Sequence, residues 1–458
     1  MKETIVLYPA PSFAHLVSMV EFGKLILQHQ PHLSIVILVP SMPSAHNSSS
    51  SSYISDLSLA RIPISFLSLP SLQVTVYDSV AMNALNVLDA LETLSSSFTI
   101  LALVTSAPHQ NLNTHIPIFC YFTSCASALA FFLYLPTFHS QTTKSFTDLR
   151  ETLLDFPGLP SLSASNVPEP VLNRESPSYQ FFLCFASSLL KSKGLIVNTF
   201  NFLEPRTVQA ITDGDCVPND QTPPIFCIGP LITSAKDHAI ARSTSDYDEA
   251  SDCMVWLDKQ PSESVVFLCF GSKGVFSEAQ IKEIAIGLER SRHRFLWVVK
   301  SPQGLNTEPK LDELLPHGFL ERIKEKGLVV KSWAPQNAIL RHESVGGFVT
   351  HCGWNSALEA VSYGVPMVAW PLYAEQHMNS VILVKEMKVA IAARDGSREG
   401  LVSSDEVERR VRQLMEMEEG KVMRCRILEM KAMAIKAWCS GGSSLNAFID
   451  LVSSWKRG

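Results

Sequence analysis

Short apolar runs alternate with longer amphipathic stretches along most of the chain. Residues 4–8, Thr-Ile-Val-Leu-Tyr, form a strand-like run ended by Pro9 and Pro11. A helical pattern follows over 16–28, with Val17, Val20, Leu25 and Ile26 among its apolar positions, and an apolar run returns at 33–39. Strand, helix, strand in that order predicts a right-handed crossover and a mainly parallel sheet. Further strands are expected at 64–67, 99–104, 116–122 and 194–198. The serine-rich stretch 41–52 reads as a low-complexity loop, and 207–225 and 233–252 are polar with little apolar periodicity.

A second series starts with the run at 264–270. Ser277 followed by Gln280 is a capping-box pattern that opens a helix to about Arg290. Strands are expected at 295–300, 328–331 and 389–393, and later helices at 404–416 and 443–455. The architecture this predicts is α/β, with two Rossmann-like domains of similar size facing a cleft. The boundaries expected are 1–232 for the first domain, 233–252 for a linker, 253–440 for the second domain and 441–458 for a terminal helical segment.

Composition narrows the class. The 458 residues are 46% hydrophobic and 18% charged, which suits a well-buried globular chain of two or three domains. A net charge of −6 with no basic stripe argues against nucleic acid as a partner. No apolar run is long enough to span a membrane, and Met1-Lys2-Glu3-Thr4 leads straight into a strand without a secretory pattern. Ten cysteines without paired spacing read as reduced thiols, so a cytoplasmic protein is expected.

The most informative stretch is 333–376, WAPQNAILRHESVGGFVTHCGWNSALEAVSYGVPMVAWPLYAEQ. Its run 346–350 is entered through glycines and reads as a buried strand; residues 351–356 turn the chain into a helix that Gly364 ends. A small polar turn between strand and helix leaves N–H groups at the positive end of a helix, an anion site that suits a diphosphate. This block resembles, nearly position for position, the signature box of the plant secondary-product glycosyltransferases, the family 1 UDP-sugar-dependent enzymes. The resemblance extends to 8–27 and 265–289, where it is most similar to the subgroup that glucosylates chalcones, dihydrochalcones and isoflavones. It implies the GT-B fold, an acceptor-binding first domain, a UDP-sugar-binding second domain, and a terminal helix packed back on the first. It also implies inverting transfer of glucose from UDP-glucose to a phenolic metabolite of flavonoid, chalcone or dihydrochalcone type, by a monomer without metal or other cofactor.

Residue roles follow from the same resemblance. His15, by its position alone a histidine at a helix start, corresponds to the general base that takes the acceptor's proton; Ala14 stands where the family has glycine. Trp333 corresponds to the uracil-stacking position, Ala334 to backbone contacts with the base, and Gln336 and Glu359 to the ribose contacts. His351, Asn355, Ser356 and Ser272 match diphosphate contacts, with the charge expected to be met by the helix end and His351. Trp354, Glu375 and Gln376 match sugar contacts, joined by Thr123 from the first domain. Gln376 is associated with glucose as the donor sugar, and Glu375 replaces a commoner aspartate. Asp213-Gly214-Asp215 looks like a metal-binding D-x-D triplet, but its polar loop lies far from the box and no metal is expected.

One family feature is missing. Counting 22 residues back from Thr123 reaches Leu101 where an aspartate partner for the histidine is expected, and no acid occurs from 95 to 147. The dyad then reads as broken, with activity biased to acidic phenols, unless a carboxylate enters from elsewhere. Two other functions stay open at this point: carbon rather than oxygen glycosylation, and a catalytically silent UDP-sugar-binding protein. The acceptor itself, expected to be bound by 67–83 and 173–185, is not readable.

Overall fold

The first sheet is assembled from runs that are apolar on both faces, the signature of parallel strands covered by helices on either side. It contains β1 (Lys2–Tyr8), β2 (Ser34–Val39), β3 (Ile64–Ser68), β4 (Phe98–Thr105) and β5 (Ile118–Phe122). A two-stranded ribbon, β6 (Leu153–Leu154) and β7 (Leu162–Ser163), stands apart, and β8 (Leu195–Val197) and β9 (Ile225–Cys227) complete the sheet. The order is β3-β2-β1-β4-β5-β8-β9, with every neighbouring pair parallel. This computed structural model describes residues 1–40, 44–59, 62–70, 76–109, 111–232, 244–302, 307–394 and 400–456.

The second sheet contains β10 (Val265–Cys269), β11 (Arg294–Val299), β12 (Gly327–Lys331), β13 (Val345–Thr350), β14 (Met367–Ala369) and β15 (Ala390–Ala392). Its order is β12-β11-β10-β13-β14-β15, again parallel throughout. Its core is a buried layer around Val266, Leu268, Phe295 and Trp297. The chain divides into one unit of Met1–Thr233 with Lys436–Gly458, and another of Ser234–Ile435.

The last helix, Ser443–Trp455, belongs to the first unit and lies against β9. Trp455 is 2% exposed and meets Phe119 edge-on at 6.4 Å, while the Ser444 hydroxyl donates to the Gly229 carbonyl at 2.6 Å.

Three local expectations change. Much of the serine-rich stretch is helical, Ser44–Leu59, and buried Tyr53 and Leu57, one turn apart, attach it to the unit. The polar stretch 207–225 holds part of the helix Pro205–Thr212, and 244–252 of the expected linker lie in the helix Thr244–Leu257. Residues 233–243 lie outside the described residues. Ser277 does cap the helix Glu278–Ser291 by accepting from the Gln280 N–H at 3.3 Å, but the box is not reciprocal. The Gln280 amide turns instead to the Val402 backbone, donating at 2.8 Å and accepting at 2.9 Å.

A buried carboxylate fixes the helix Ala126–Gln141, which follows β5. Glu204, 1% exposed, accepts from the Ala126 and Ser127 N–H groups at 2.9 and 2.8 Å. It also accepts from the Ser127 and Thr199 hydroxyls, both at 2.7 Å. Burial pushes its pKa up, and these four donors oppose that shift. Replacing it strands two backbone N–H groups inside the unit. Glu204→Ala is expected to cost on the order of 3 kcal/mol, read as a lower urea midpoint. Glu204→Gln, which keeps an acceptor oxygen, should lose less. An unchanged midpoint in Glu204→Ala counts against this role.

Candidate active site

Because β1 and β4 are parallel with Tyr8 opposite Thr105, the residues just past their ends are neighbours. Past β1 the chain turns through Pro9–Ser12 into the helix Phe13–His29, which places half-buried His15 in its first turn. Past β4 stands Ser106, whose N–H donates to the Tyr8 carbonyl at 3.1 Å and whose Oγ accepts the Ala10 N–H at 3.0 Å. His15 Nδ1 is 2.8 Å from Ser106 Oγ, and His15 Nε2 is 3.5 Å from Thr123 Oγ1, just past β5.

This corrects the sequence count. Leu101 is the extra residue of a bulge in β4, between Ile100 opposite Thr4 and Ala102 opposite Ile5. It lies five residues before Ser106, about 16 Å of extended chain away. The count assumed a connection of fixed length between β4 and β5. At Nδ1 the imidazole meets the hydroxyl of Ser106.

A serine hydroxyl differs from a carboxylate in two ways. With one lone pair taken by Ala10 N–H, Ser106 can still donate to Nδ1 or accept from it, so it supports either tautomer of His15. It also carries no charge with which to stabilise an imidazolium.

The other predicted residues all lie in the second unit, on loops leaving the carboxyl ends of β10, β12, β13 and β14. Such ends are where open parallel sheets bind ligands. After β12, half-buried Trp333 and buried Ala334 lead into the short helix Gln336–Arg341. Gln336 Nε2 reaches across to the helix after β13, donating to Ser356 Oγ at 2.9 Å and to Glu359 Oε2 at 2.8 Å. That helix, Trp354–Tyr363, starts at Gly353 without a side-chain cap and without an acid in its first turn. Its N-terminus can hold an anion. Asn355 and Ser272 are exposed, whereas the Trp354 ring is buried at the turn.

Glycine makes room for His351. A Cβ at Gly271, whose φ is 71°, or at Gly353 would overlap the imidazole. The turn itself is pinned by Asn379 Nδ2, which donates to the Cys352 carbonyl at 3.0 Å. Three non-glycine residues adopt left-handed backbone beside predicted contacts: Ser332 (φ 60°) before Trp333, Cys352 (φ 66°) before Gly353, and Ala374 (φ 56°) before Glu375. Such conformations cost roughly 1–3 kcal/mol each and persist where surrounding structure imposes them.

Gln376 is 3% exposed, and its Oε1 accepts from the Leu372 and Tyr373 N–H groups at 2.9 and 3.0 Å. It therefore braces its own loop. Tyr373 was not anticipated. Its hydroxyl interacts with the Gln376 side chain and the Lys273 backbone, and its ring lies 6.4 Å from that of His351. It thus joins the loops after β10, β13 and β14.

Burial, and secondarily the Lys300 ammonium, pulls His351 down to about 4, so without a bound anion the imidazole is neutral at physiological pH. Lys300 follows β11 directly and donates from Nζ to the Gly271 carbonyl. No motif marks Lys300; strand order alone brings it to this edge. Asp213-Gly214-Asp215 closes the helix Pro205–Thr212 in the first unit, with Asp213 accepting from Gln209 at 2.7 Å. Among the described residues no group of three His, Cys, Asp or Glu side chains is placed to hold a metal, and no helix is long and apolar enough to cross a membrane.

Glu359, 5% exposed, is pushed by burial from its usual 4.5 up to about 7, with the Gln336 and Asn337 amides opposing the shift. Because the folded state favours the protonated form, the ligand-free unit should lose stability as pH rises from 4.5 through about 7. Vicinal hydroxyls donating to this group would favour its charged form instead. Uridine has a ribose diol and no phosphate to titrate. Its affinity is expected to fall about tenfold from pH 8 to pH 6, a dependence that Glu359→Gln removes. A flat profile in the unmodified chain would sink this assignment.

Comparison with known proteins agrees with the geometry. The family model "UDP-glucoronosyl and UDP-glucosyl transferase" matches residues 238–429. UDP-glycosyltransferase 88F4 of Malus domestica is 48% identical, across 99% of this chain and 100% of its own. A phloretin 2'-O-glucosyltransferase of the same species is 47% identical, with the same coverage of both chains. The structure of Phytolacca americana UGT2 complexed with UDP-2fluoro-glucose and pterostilbene superposes with a TM-score of 0.86 at 36% identity, covering 99% of this chain and 100% of that one.

Proposed function

The chain belongs to the family of UDP-glucuronosyl and UDP-glucosyl transferases, and from that premise we propose that it transfers glucose from UDP-glucose to a phenolic plant metabolite of the flavonoid, chalcone or dihydrochalcone type. The observation that carries the reading is the bridge from Gln336 to Ser356 and Glu359, set beside the uncapped N-terminus of Trp354–Tyr363. A carboxylate suited to a diol and a turn suited to a diphosphate stand one helical turn apart. Trp333 stacks on uracil and Ala334 reads its edge. Ser272, His351, Asn355 and Ser356 hold the diphosphate, and Trp354, Glu375, Gln376 and Thr123 hold the sugar.

His15 supplies the base. The acceptor's O–H proton passes to Nε2, and the oxygen bonds to the anomeric carbon from the face opposite UDP. The bond from that carbon to the β-phosphate oxygen breaks, and its electron pair leaves with UDP. Configuration inverts. Around Thr123, Phe122 stacks on Phe185 at 6.3 Å, and Phe132 stacks on Phe182 at 5.3 Å. Phe181 and Phe182 stay partly exposed, a surface that supports a flat aromatic acceptor. Ten free cysteines support a reducing, cytoplasmic setting, and we take the enzyme to act as a monomer without metal.

UDP release from UDP-glucose over a panel of phenols tests the reading. Mass spectrometry before and after acid hydrolysis then distinguishes O- from C-linked products. Glu359→Ala is expected to weaken UDP binding by about 1.5–3 kcal/mol, through loss of a charged acceptor. His15→Ala should bind UDP normally and turn over little or not at all. Wild-type turnover in His15→Ala would remove it as the base.

The serine partner limits the acceptor. With a neutral serine hydroxyl at Nδ1 rather than a carboxylate, His15 contributes at the low end of the roughly 10²–10⁴-fold range of general-base catalysis. A phenol of pKa about 10 or below needs less help than an alkyl alcohol. Turnover should therefore rise as acceptor pKa falls. Ser106→Asp should flatten that dependence and raise the rate on the weakest acids by about tenfold or more. An unmodified chain that glucosylates alkyl alcohols as readily as phenols would refute this account.

A further inference from the structure

We propose that Lys300 is the cation that binds the donor's diphosphate, a role that rests on the donor reading above and completes it. A diphosphate brings at least two negative charges. The uncapped helix end answers with roughly half an elementary charge, and His351 carries none when no anion is bound. A full positive charge beside the turn adds to both.

Strand order supplies it. β11 neighbours β10, so Lys300 leaves the sheet at the same edge as the Gly271–Gly274 loop. Its ammonium donates to the Gly271 carbonyl, next to Ser272, and is near enough to His351 to act on its charge state. It therefore stands beside two of the expected diphosphate contacts, on different loops. Lys273 lies on the same loop as Gly271 but is exposed. It serves as the comparison for a lysine that is merely nearby.

The test is calorimetric titration of the full chain with UDP and, separately, with uridine. Lys300→Met is expected to weaken UDP roughly tenfold to a hundredfold while leaving uridine affinity unchanged. It should also flatten the dependence of UDP affinity on salt. Lys300→Arg should restore most of the affinity, and Lys273→Met should stay close to the unmodified chain. Equal UDP affinity in Lys300→Met overturns the proposal, as does a parallel loss of uridine affinity, which would mark a packing role. A loss confined to Lys273→Met assigns the charge to the other lysine and overturns it too. An unmodified chain that binds neither UDP nor uridine defeats the donor reading itself.

Discussion

In a parallel sheet every strand leaves at the same edge, so loops far apart in sequence are brought together by pairing alone. That constraint places Ser106 and Thr123 within hydrogen-bond range of His15, although 108 residues separate His15 from Thr123. It also collects Gly271, Lys300, Trp333, His351 and Tyr373, which follow β10, β11, β12, β13 and β14. The strands contribute register more than chemistry. A slip of one residue between β1 and β4 would move Ser106 off the Tyr8 carbonyl and away from the imidazole.

Burial then decides which side chains carry charge. His351 is neutral because its imidazole is enclosed by two glycines and stands near a lysine. Glu359 is poised near neutrality because two amides only partly offset its desolvation. The pair formed by His15 and Ser106 brings together two side chains that are both uncharged when the imidazole is neutral. A site of this kind stays foldable without substrate and gains its strongest interactions when a charged, hydroxylated ligand arrives.

The alternation of strands and helices, the two α/β units and the return of the last helix were legible because apolar runs, turn residues and a family signature all agreed. The first unit's helices were less legible. Ser44–Leu59 is held by Tyr53 and Leu57 rather than by a continuous apolar stripe, so composition concealed it. Leu101 was singled out by counting, and counting does not show that it sits at a bulge inside β4, five residues short of Ser106. Ser106 and Lys300 carry no motif; only strand order shows that they leave the sheet beside His15 and Gly271. Tyr373 sat in plain view within the signature block. Its part in joining three loops depends on a hydroxyl direction that no spacing rule supplies.

Gln376 shows how a structural duty limits a chemical one. Its carbonyl oxygen is committed to two backbone N–H groups of its own loop, so toward a sugar it can offer only what the Tyr373 hydroxyl leaves of its amide N–H donors. A residue that only donates distinguishes hydroxyl positions by whether an oxygen lone pair lies on its axis. It is indifferent to which hydroxyls could donate. Acceptance must then fall to a neighbour, and Glu375, next in the chain and half-buried, is the carboxylate placed to provide it. On the proposed donor reading, selection between sugars differing at one hydroxyl belongs to the pair, which follows the left-handed turn at Ala374. On that reading a substitution at position 376 disturbs the loop as well as the contact, because the brace and the reader are the same amide.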